Sequence, residues 1–296
     1  MSFESPKKQV ISPKTDLYAV IGHPLSHTLS PVIHNGLFQD YGIDAVYHAF
    51  AIKDTSLLTK DILETFRIRG LSVTIPYKEW AYQFASDHDK TSQAMLASNT
   101  LLIQETVRAF NTDGTGAVRS LEEFAKSKLE HSKLVMLGSG GSAKGIAFSL
   151  LPYISPKRPL HVIARNVMAR KELKAKLELE KPDSVQDWGF EDPKQIAELL
   201  SGPTLLINTT PLGMKGYSDQ SPIPKTFLHK DIFVFDIVYN PIQTQLVKDV
   251  MATKGEFLPG YFMLIHQAMA QFELFTGVRP SSDDVKRTEK RILERL

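Results

Sequence analysis

The sequence predicts an α/β protein with two domains and a cleft between them. Its 296 residues fit two domains of ordinary size, at roughly 100–200 residues each. Short β-branched runs alternate with amphipathic stretches, which is the pattern of βαβ units and parallel sheets. This alternation forms two series, and a glycine-rich turn near residue 138 stands at the start of the second. We expect a first domain of residues 1–114 plus 261–296, and a Rossmann-like second domain of residues 115–260.

The first series contains strands and helices in alternation. "DLYAVIG", "AVYHAFAI" and "LSVTI" are apolar runs typical of strands, and "NTLLIQ" with "VRAFN" is typical of a strand pair. "SPVIHNGLFQDYG" predicts a helix with Ser30 at the N-cap and Pro31 at the first helical position. "DTSLLTKDILETF" predicts a helix capped by Asp54, and "GTGAVRSLEEFAK" predicts another.

The second series repeats this alternation. Its predicted strands are "KLVMLG", "LHVIA", "TLLINT" and "IFVFDIV", with helical patterns between them. The stretch from about residue 261 is helical and follows the last of these strands. We expect it to pack back on the first domain.

Composition excludes several classes of function. Lys and Arg total 35 against 33 Asp and Glu, a net charge of +2, which gives no footprint for nucleic acid or an anionic membrane. The chain has no cysteine, which excludes disulfides, thiolate zinc sites and thiol nucleophiles. No apolar run is long enough to span a bilayer, and the N-terminus lacks the apolar core of a signal peptide. We therefore expect a cytoplasmic protein.

The glycine-rich turn predicts a dinucleotide site. A strand runs into Gly138, Gly140 and Ala143, and a helix follows. This is the G-x-G-x-x-G/A pattern in its strand–turn–helix context, where glycines let a pyrophosphate approach the backbone and the helix N-terminus. The next strand ends in Arg165 without the acid that usually binds the ribose 2′-hydroxyl of NAD. An arginine fork can hold a 2′-phosphate, so the sequence favours NADP(H).

Two charged side chains follow predicted strands of the first series. Pro76 cannot donate to a sheet ladder, so Lys78 is expected at the carboxyl end of a strand, where open α/β sheets place ligands. Asp113 follows the strand pair and opens a glycine-rich helix start, and Asn99 precedes that pair. Taken singly, a surface lysine and an N-cap aspartate are the simpler interpretations.

Together these motifs resemble the shikimate dehydrogenases, NADP-dependent enzymes that reduce 3-dehydroshikimate. The stretches that carry the resemblance are "VIGHPLSHTLSPVIHN", "SVTIPYK", "NTDGTG", the glycine turn, "NTTPLGM", "FDIVYNPIQTQL" and "GYFMLIHQAMAQFELFTG". They run in the family's order from about residue 17 to 278. The resemblance implies that the first domain binds substrate and the second binds NADP.

The resemblance also implies a role for individual residues. Lys78 and Asp113 are expected to be catalytic. The expected substrate ligands are Thr28 and Ser30, for a carboxylate, with Thr74, Asn99, Asp113, Tyr239 and Gln267. The expected cofactor contacts are Gly138, Ser139, Gly140, Gly141, Ser142, Arg165, Asn208, Thr209, Ile237 and Gly260, with Thr210 beside them.

Three positions depart from the family pattern. Thr28 replaces the first serine of the carboxylate pair, which keeps the hydroxyl and adds a methyl group. Ser72 stands where an asparagine is commoner, and Ala164 stands where the cofactor motif has an asparagine. The first two departures leave quinate open as a substrate, and the third weakens the preference for NADP.

Alternatives therefore remain from more than one class. They are a quinate/shikimate dehydrogenase with relaxed substrate or cofactor choice, a catalytically idle cofactor-binding paralogue, and another two-domain dehydrogenase. No metal is expected, because His23, His27 and His34 do not share a helical face and hydride transfer to a nicotinamide needs none. The expected partner is a small-molecule substrate, with no nucleic acid and no membrane, in a monomer or homodimer.

Overall fold

The computed structural model describes residues 11–25, 28–217 and 219–296. His27, which the sequence raised as a metal candidate, lies outside these residues. The described chain folds into two six-stranded sheets with helices around them. The predicted α/β class is confirmed.

The first sheet is formed by the first part of the chain. Its order is β2-β1-β3-β5-β6-β4. The pairs β1/β2, β1/β3 and β4/β6 are parallel, whereas β5 runs antiparallel to both β3 and β6. The strands are β1 (Asp16–Gly22), β2 (Ala45–Ala51), β3 (Ile68–Val73), β4 (Asp87–His88), β5 (Thr100–Ile103) and β6 (Val107–Phe110).

The second sheet is entirely parallel and has the order β12-β11-β10-β7-β8-β9. Counted from β7, this is the 3-2-1-4-5-6 order of a doubly wound dinucleotide-binding sheet. The strands are β7 (Lys133–Leu137), β8 (Leu160–Ile163), β9 (Val185–Trp188), β10 (Thr204–Asn208), β11 (Ile232–Asp236) and β12 (Glu256–Pro259). The predicted Rossmann-like arrangement is therefore present.

Twelve α-helices occur in the described residues. They are α1 (Ser30–Tyr41), α2 (Lys60–Thr65), α3 (Lys78–Phe84), α4 (Lys90–Met95), α5 (Asp113–Phe124), α6 (Lys126–His131), α7 (Gly141–Ser149), α8 (Val167–Glu180), α9 (Pro193–Leu199), α10 (Gln245–Ala252), α11 (Tyr261–Thr276) and α12 (Ser282–Leu293). None of the helices in this part of the chain is long and apolar enough to cross a membrane.

Two helix starts differ from the sequence prediction. Ser30 is the first helical residue of α1 and not its cap, because Leu29 occupies the N-cap position. The Ser30 hydroxyl instead accepts a hydrogen bond from Thr28 Oγ1 at 3.3 Å. Helix α2 begins six residues after Asp54, and its cap is Thr59, whose hydroxyl accepts from the Ile62 amide. The Asp54 carboxylate is used in a local turn with Ser56.

Helix α11 packs back on elements of the first sheet, and α12 packs on α1 and α11. Helix α11 packs against α1, β3 and β5, and it makes its most extensive contact with α5. A continuous apolar core runs between the two sheets through α5 and α11, and the outer face of each sheet has a separate core. Helices α5 and α11 thus lie where the two sheets meet.

Candidate active site

A cavity with a volume of about 480 Å³ lies between the two sheets. Its walls come from the segments that follow β1, β3, β10 and β11, and from α11. All eight predicted catalytic and substrate-binding residues line it: Thr28, Ser30, Thr74, Lys78, Asn99, Asp113, Tyr239 and Gln267. The predicted cofactor contacts Ser142, Ile237 and Gly260 line the same cavity.

An ion pair stands at the centre of the cavity wall. The Lys78 ammonium donates a hydrogen bond to Asp113 Oδ2, and the two side chains are 18% and 11% exposed. Lys78 begins α3 and Asp113 begins α5, so two helix starts hold the pair in place. An ammonium with part of its surface open to a cavity can donate a proton to a ligand held there.

Asn99 fixes the carboxylate of this pair. Its Nδ2 donates to Asp113 Oδ1 at 2.7 Å and to Thr112 Oγ1 at 3.0 Å. Its Oδ1 accepts from the Thr112 amide at 2.8 Å and from Thr100 Oγ1 at 2.9 Å. Asn99 lines the cavity as predicted, but its amide hydrogens are directed to protein atoms. The geometry makes it a support for Asp113.

A group of hydroxyls occupies the end of the cavity near α1. Thr28 Oγ1 donates to Ser30 Oγ, and the Ser30 amide donates back to Thr28 Oγ1 at 3.4 Å. The sequence interpretation missed Tyr47, whose buried hydroxyl lies beside Ser30 and Ser72 and has no hydrogen-bond partner in the described chain. Burial raises the pKa of Tyr47, and the two serine hydroxyls oppose that rise. This end of the site offers neutral donors.

Gln271 was also missed, although a signal was available. It follows Gln267 by four residues on α11, so both side chains lie on one face of the helix. Gln271 Oε1 accepts from Ser72 Oγ at 2.8 Å, and its Nε2 donates to Thr100 Oγ1 at 2.9 Å. Ser72, which the sequence marked only as a departure, is therefore tied to α11 and oriented by it.

His34 lies behind these residues and is fully buried. Its ring stacks on the Tyr47 ring with centroids 4.3 Å apart. Burial lowers the pKa of His34 to about 3, so the imidazole is neutral at physiological pH. In the described part of the chain no group of three or more His, Cys, Asp or Glu side chains could hold a metal ion.

The glycine turn has the geometry of a dinucleotide cradle. Gly138 has φ of 108° and packs against Thr209, whose Oγ1 lies 2.5 Å from the position of an added Cβ. The positions of added Cβ atoms at Gly140 and Gly141 have no heavy atom within 4 Å. Helix α7 begins there without a side-chain cap. The turn therefore presents free backbone amides and open space, both of which a pyrophosphate requires.

Besides the glycine turn, three predicted cofactor contacts lie away from the cavity between the sheets. Arg165 is exposed just after β8 and pairs with no carboxylate among the described residues. Asn208 is fully buried, and its side chain bonds to Asp236 and Thr210. The Thr209 hydroxyl donates to the Leu137 carbonyl at 2.6 Å. Asn208 and Thr209 are thus engaged within the protein, and Arg165 is free to meet a ligand.

Comparison with known proteins gives a consistent result. Residues 20–101 match the family model described as the shikimate dehydrogenase substrate binding domain. Residues 260–288 match the model described as the shikimate 5′-dehydrogenase C-terminal domain. A shikimate dehydrogenase (NADP(+)) of Leptospira interrogans is 44% identical over 287 residues, which cover 94% of this chain and 95% of the relative.

Solved structures agree with these sequence matches. A crystal structure of a shikimate dehydrogenase in complex with NADP⁺ superposes with a TM-score of 0.86 at 30% identity, covering 98% of this chain and 99% of the other. A shikimate 5-dehydrogenase from Listeria monocytogenes, in complex with shikimate and NAD, gives a TM-score of 0.83 at 26% identity, covering 94% and 97%. The similarity therefore spans both sheets.

Proposed function

The chain belongs to the shikimate dehydrogenase family, and from this we propose that it catalyses the reversible NADPH-dependent reduction of 3-dehydroshikimate to shikimate, a step of the shikimate pathway that leads to chorismate and the aromatic amino acids. One structural observation supports this activity in addition to membership of the family. The Lys78–Asp113 pair and the nicotinamide-side residues Ile237 and Gly260 line a single cavity. A substrate carbonyl beside Lys78 would therefore lie within the same space as the reactive end of a dinucleotide.

The residues fit NADP. The open amides at Gly140 and Gly141 would hold the pyrophosphate, and Ser142 lies between that turn and the cavity. Arg165 would hold the 2′-phosphate, because its guanidinium is exposed and has no competing carboxylate within the described residues. NADPH, when bound, supplies the hydride that reduces the carbonyl carbon.

Lys78 supplies the proton. The carbonyl oxygen becomes negatively charged during reduction, and an ammonium beside it stabilises this charge and donates the proton that forms the hydroxyl. In the oxidative direction the neutral amine accepts that proton. Asp113 holds the ammonium in place, and Asn99 holds Asp113.

The hydroxyls at the α1 end of the cavity suit a carboxylate. Thr28 and Ser30 donate through directional bonds and add no fixed cation beside the ligand. With the carboxylate held there, Thr74, Tyr239 and Gln267 surround the ring of the substrate from other walls of the cavity. Burial raises the pKa of Tyr239, so this side chain is a neutral hydrogen-bonding group.

We assign the substrate domain to residues 1–114 plus 261–296 and the NADP domain to residues 115–260. The packing of α11 on α1, β3 and β5 supports the return of the chain to the first sheet. The position of the cavity between the two sheets supports a cleft between the domains. A cytoplasmic location, the absence of a nucleic-acid partner, and a monomeric or homodimeric state stay predictions that fractionation and sedimentation experiments would test.

Initial rates with shikimate and quinate, each with NADP⁺ and NAD⁺, test the proposal. We expect the highest kcat/KM with shikimate and NADP⁺. Arg165→Ala should raise the KM for NADP⁺ by about ten- to a hundredfold, the value of a lost charge-assisted contact, and leave the KM for NAD⁺ nearly unchanged. Equal losses with both cofactors would contradict the assignment of Arg165.

A second candidate is a dehydrogenase that also accepts quinate. Ser72 is smaller than asparagine, and its hydroxyl is bound to Gln271, which leaves room at the side of the cavity for the extra hydroxyl of quinate. Comparable kcat/KM values for the two acids would favour this candidate. NADP⁺ binding without turnover of either acid would indicate an idle paralogue.

A further inference from the structure

A buried carboxylate lies behind the nicotinamide side of the cavity. Asp236 is the last residue of β11 and is 1% exposed. Its Oδ1 accepts from Asn208 Nδ2 at 2.9 Å and from the Val238 amide at 3.1 Å. Its Oδ2 accepts from Thr244 Oγ1 at 2.6 Å. No lysine or arginine in the described chain pairs with it, so these three donors alone compensate its buried charge.

These three bonds join segments that are far apart in sequence. Asn208 ends β10, and its Oδ1 accepts from the amide and the hydroxyl of Thr210 at 3.0 and 2.7 Å. Thr244 is the N-cap of α10 and accepts from the Val247 amide. Asp236 therefore fixes the loop after β10, the loop after β11 and the start of α10 to one another.

The loops that Asp236 joins form one wall of the cavity. Met214 comes from the loop after β10, and Ile237 and Tyr239 come from the loop after β11. Gly260 completes this wall, and an added Cβ there would lie 2.5 Å from the Asp236 carbonyl oxygen and from the Ile237 carbonyl carbon. The start of α11 thus packs directly on the backbone that Asp236 holds.

We propose that Asp236 is a positioning residue, which sets the wall against which the nicotinamide ring lies and so aligns that ring with the substrate carbonyl. This inference deepens the proposed function and rests on it. Asp236 does not line the cavity and touches no reacting atom. It acts through the backbone of Ile237, Tyr239 and the neighbouring loop.

The carboxylate is needed in its ionised form, because all three of its partners donate. Burial raises the pKa of Asp236 to about 6, and the bonds from Thr244, Val238 and Asn208 oppose this rise. An asparagine in its place is uncharged and has one acceptor oxygen and one NH₂ group, so the Thr244 hydroxyl can no longer donate to a carboxylate oxygen there and the charge-assisted bond is lost. Asp236→Asn therefore weakens the junction while nearly preserving its volume.

Calorimetric measurement of ligand binding to the full chain distinguishes a loss of nicotinamide alignment from a general loss of folding. We expect Asp236→Asn to bind 2′,5′-ADP, which lacks the nicotinamide, within about twofold of the parent protein. Its Kd for NADP⁺ should rise by roughly tenfold or more, the range expected on losing a buried bond to a charged group. With shikimate and NADP⁺, kcat should fall by at least as much.

Variants of neighbouring residues provide the controls. Asp249→Asn removes another buried carboxylate, on α10, which bonds to Gln245, and it should change neither Kd. Thr244→Val should reproduce the pattern of Asp236→Asn, and Thr244→Ser, which keeps the hydroxyl, should restore NADP⁺ binding. If Asp236→Asn does not fold, the comparison of the two Thr244 variants still tests the inference.

Two outcomes would overturn the inference. One is an equal loss of 2′,5′-ADP and NADP⁺ affinity, which would indicate general disruption of the fold. The other is unchanged NADP⁺ affinity and kcat in a folded Asp236→Asn. Neither binding measurement depends on turnover of shikimate. A failure of the proposed substrate would therefore appear separately, as a parent protein that binds NADP⁺ but does not oxidise shikimate.

Discussion

At the scale of single residues, substitution of Lys78 is the most stringent test of the proposed mechanism. Charge on the carbonyl oxygen develops mainly in the transition state, so removal of the ammonium should lower kcat much more than it raises KM. We expect Lys78→Ala to lose about 10²–10⁴-fold in kcat, the usual contribution of a general acid. Lys78→Arg should not rescue it, because a guanidinium keeps its proton near neutral pH.

The Lys78 experiment has internal controls. NADP⁺ affinity should be retained, because the glycine turn lies on the other sheet. Lys90→Ala is the control, because it removes an exposed lysine on α4 that does not line the cavity. A folded Lys78→Ala that binds NADP⁺ and keeps near-normal kcat would remove the lysine from the mechanism.

Ser30 tests where the substrate carboxylate lies. Ser30→Ala should weaken shikimate binding by about 1–3 kcal/mol, because a carboxylate hydrogen bond is left unmade. Thr28→Ser keeps the hydroxyl and should be tolerated. The KM values of both variants, measured at saturating NADP⁺, give the comparison. An unchanged KM in Ser30→Ala would place the carboxylate elsewhere.

The combination of motifs, more than the local pattern, decides whether sequence can identify a residue. Lys78 and Asp113 each follow a strand whose carboxyl end lies at the cavity, but singly each had a simpler interpretation and only the family resemblance gave them a role. Tyr47 was not found, since it lies in an apolar stretch and only its position beside Ser30 and Ser72 shows what it does. Gln271 was missed although its spacing from Gln267 was a signal, and its bond to Ser72 shows its role. The cofactor contact expected of Asn208 stays a prediction, whereas its bond to Asp236 depends on the pairing of β10 with β11, which the sequence does not display.

At the scale of elements, helix α5 makes an unusually close contact with α11. An added Cβ at Gly116 would lie 2.8 Å from the Met263 carbonyl oxygen and 2.8 Å from the Gln267 amide nitrogen. Gly116→Ala must therefore separate the helices that carry Asp113 and Gln267. We expect a loss of about 1–3 kcal/mol in stability, as for other overpacked positions, together with a fall in kcat/KM.

The neighbouring Thr115 provides the matched comparison for this prediction. Thr115→Ala changes the same helix at a half-buried position and should have little effect on either quantity. Urea unfolding and initial rates on the two variants measure the contrast. If Gly116→Ala were as stable and as active as Thr115→Ala, the close contact would have no role in positioning the two side chains.

Elements were predictable where the apolar pattern was strong. The buried strands β7, β8, β10 and β11 were identified, because each is a continuous apolar run. The short strands β9 and β12 were missed: "VQDW" is half polar, and "EFLP" ends in proline. The predicted start of α2 is too early in the chain. Asp54 and Thr59 are both suitable N-cap residues, and Thr59 is the cap because the Asp54 carboxylate bonds to Ser56.

At the scale of the whole molecule, the alternation of predicted strands and helices was enough to predict the α/β class. The order of the strands in each sheet could be read only from the structure. The position of α11 between the sheets was expected only as a return to the first domain. Its contact with α5 makes one continuous core from both halves. We therefore expect stability and catalysis to be coupled through these two helices, so that the pH dependence of unfolding reports on residues near the cavity.

Three buried histidines determine the sign of that pH dependence. Burial lowers the pKa of His34 to about 3 and the pKa values of His161 and His266 to about 4. The Glu123 carboxylate, 3.1 Å from His266 Nε2, favours the charged form of that ring, so His34 and His161 give the firmer contributions. The ordinary value is 6.5, so below that pH the unfolded chain binds protons that the folded chain does not, and stability falls as the pH falls. The raised pKa of buried Asp236 has the opposite effect, because between about pH 6 and pH 4 the folded chain binds a proton there that the unfolded chain does not. This effect offsets the contribution of only one of the three histidines.

We therefore expect the protein to be less stable at pH 5 than at pH 7, with the fully buried His34 contributing about 2 kcal/mol of the difference. His34→Asn should reduce the difference by that share, whatever its effect at pH 7, because asparagine does not titrate. Urea unfolding of both proteins at the two pH values measures this quantity. His48→Asn is the control, since His48 is exposed on β2 and stays in contact with water on folding. A pH difference that is the same in His34→Asn as in the parent protein would mean that His34 is protonated within the fold, and that its stacking on Tyr47 involves a cation.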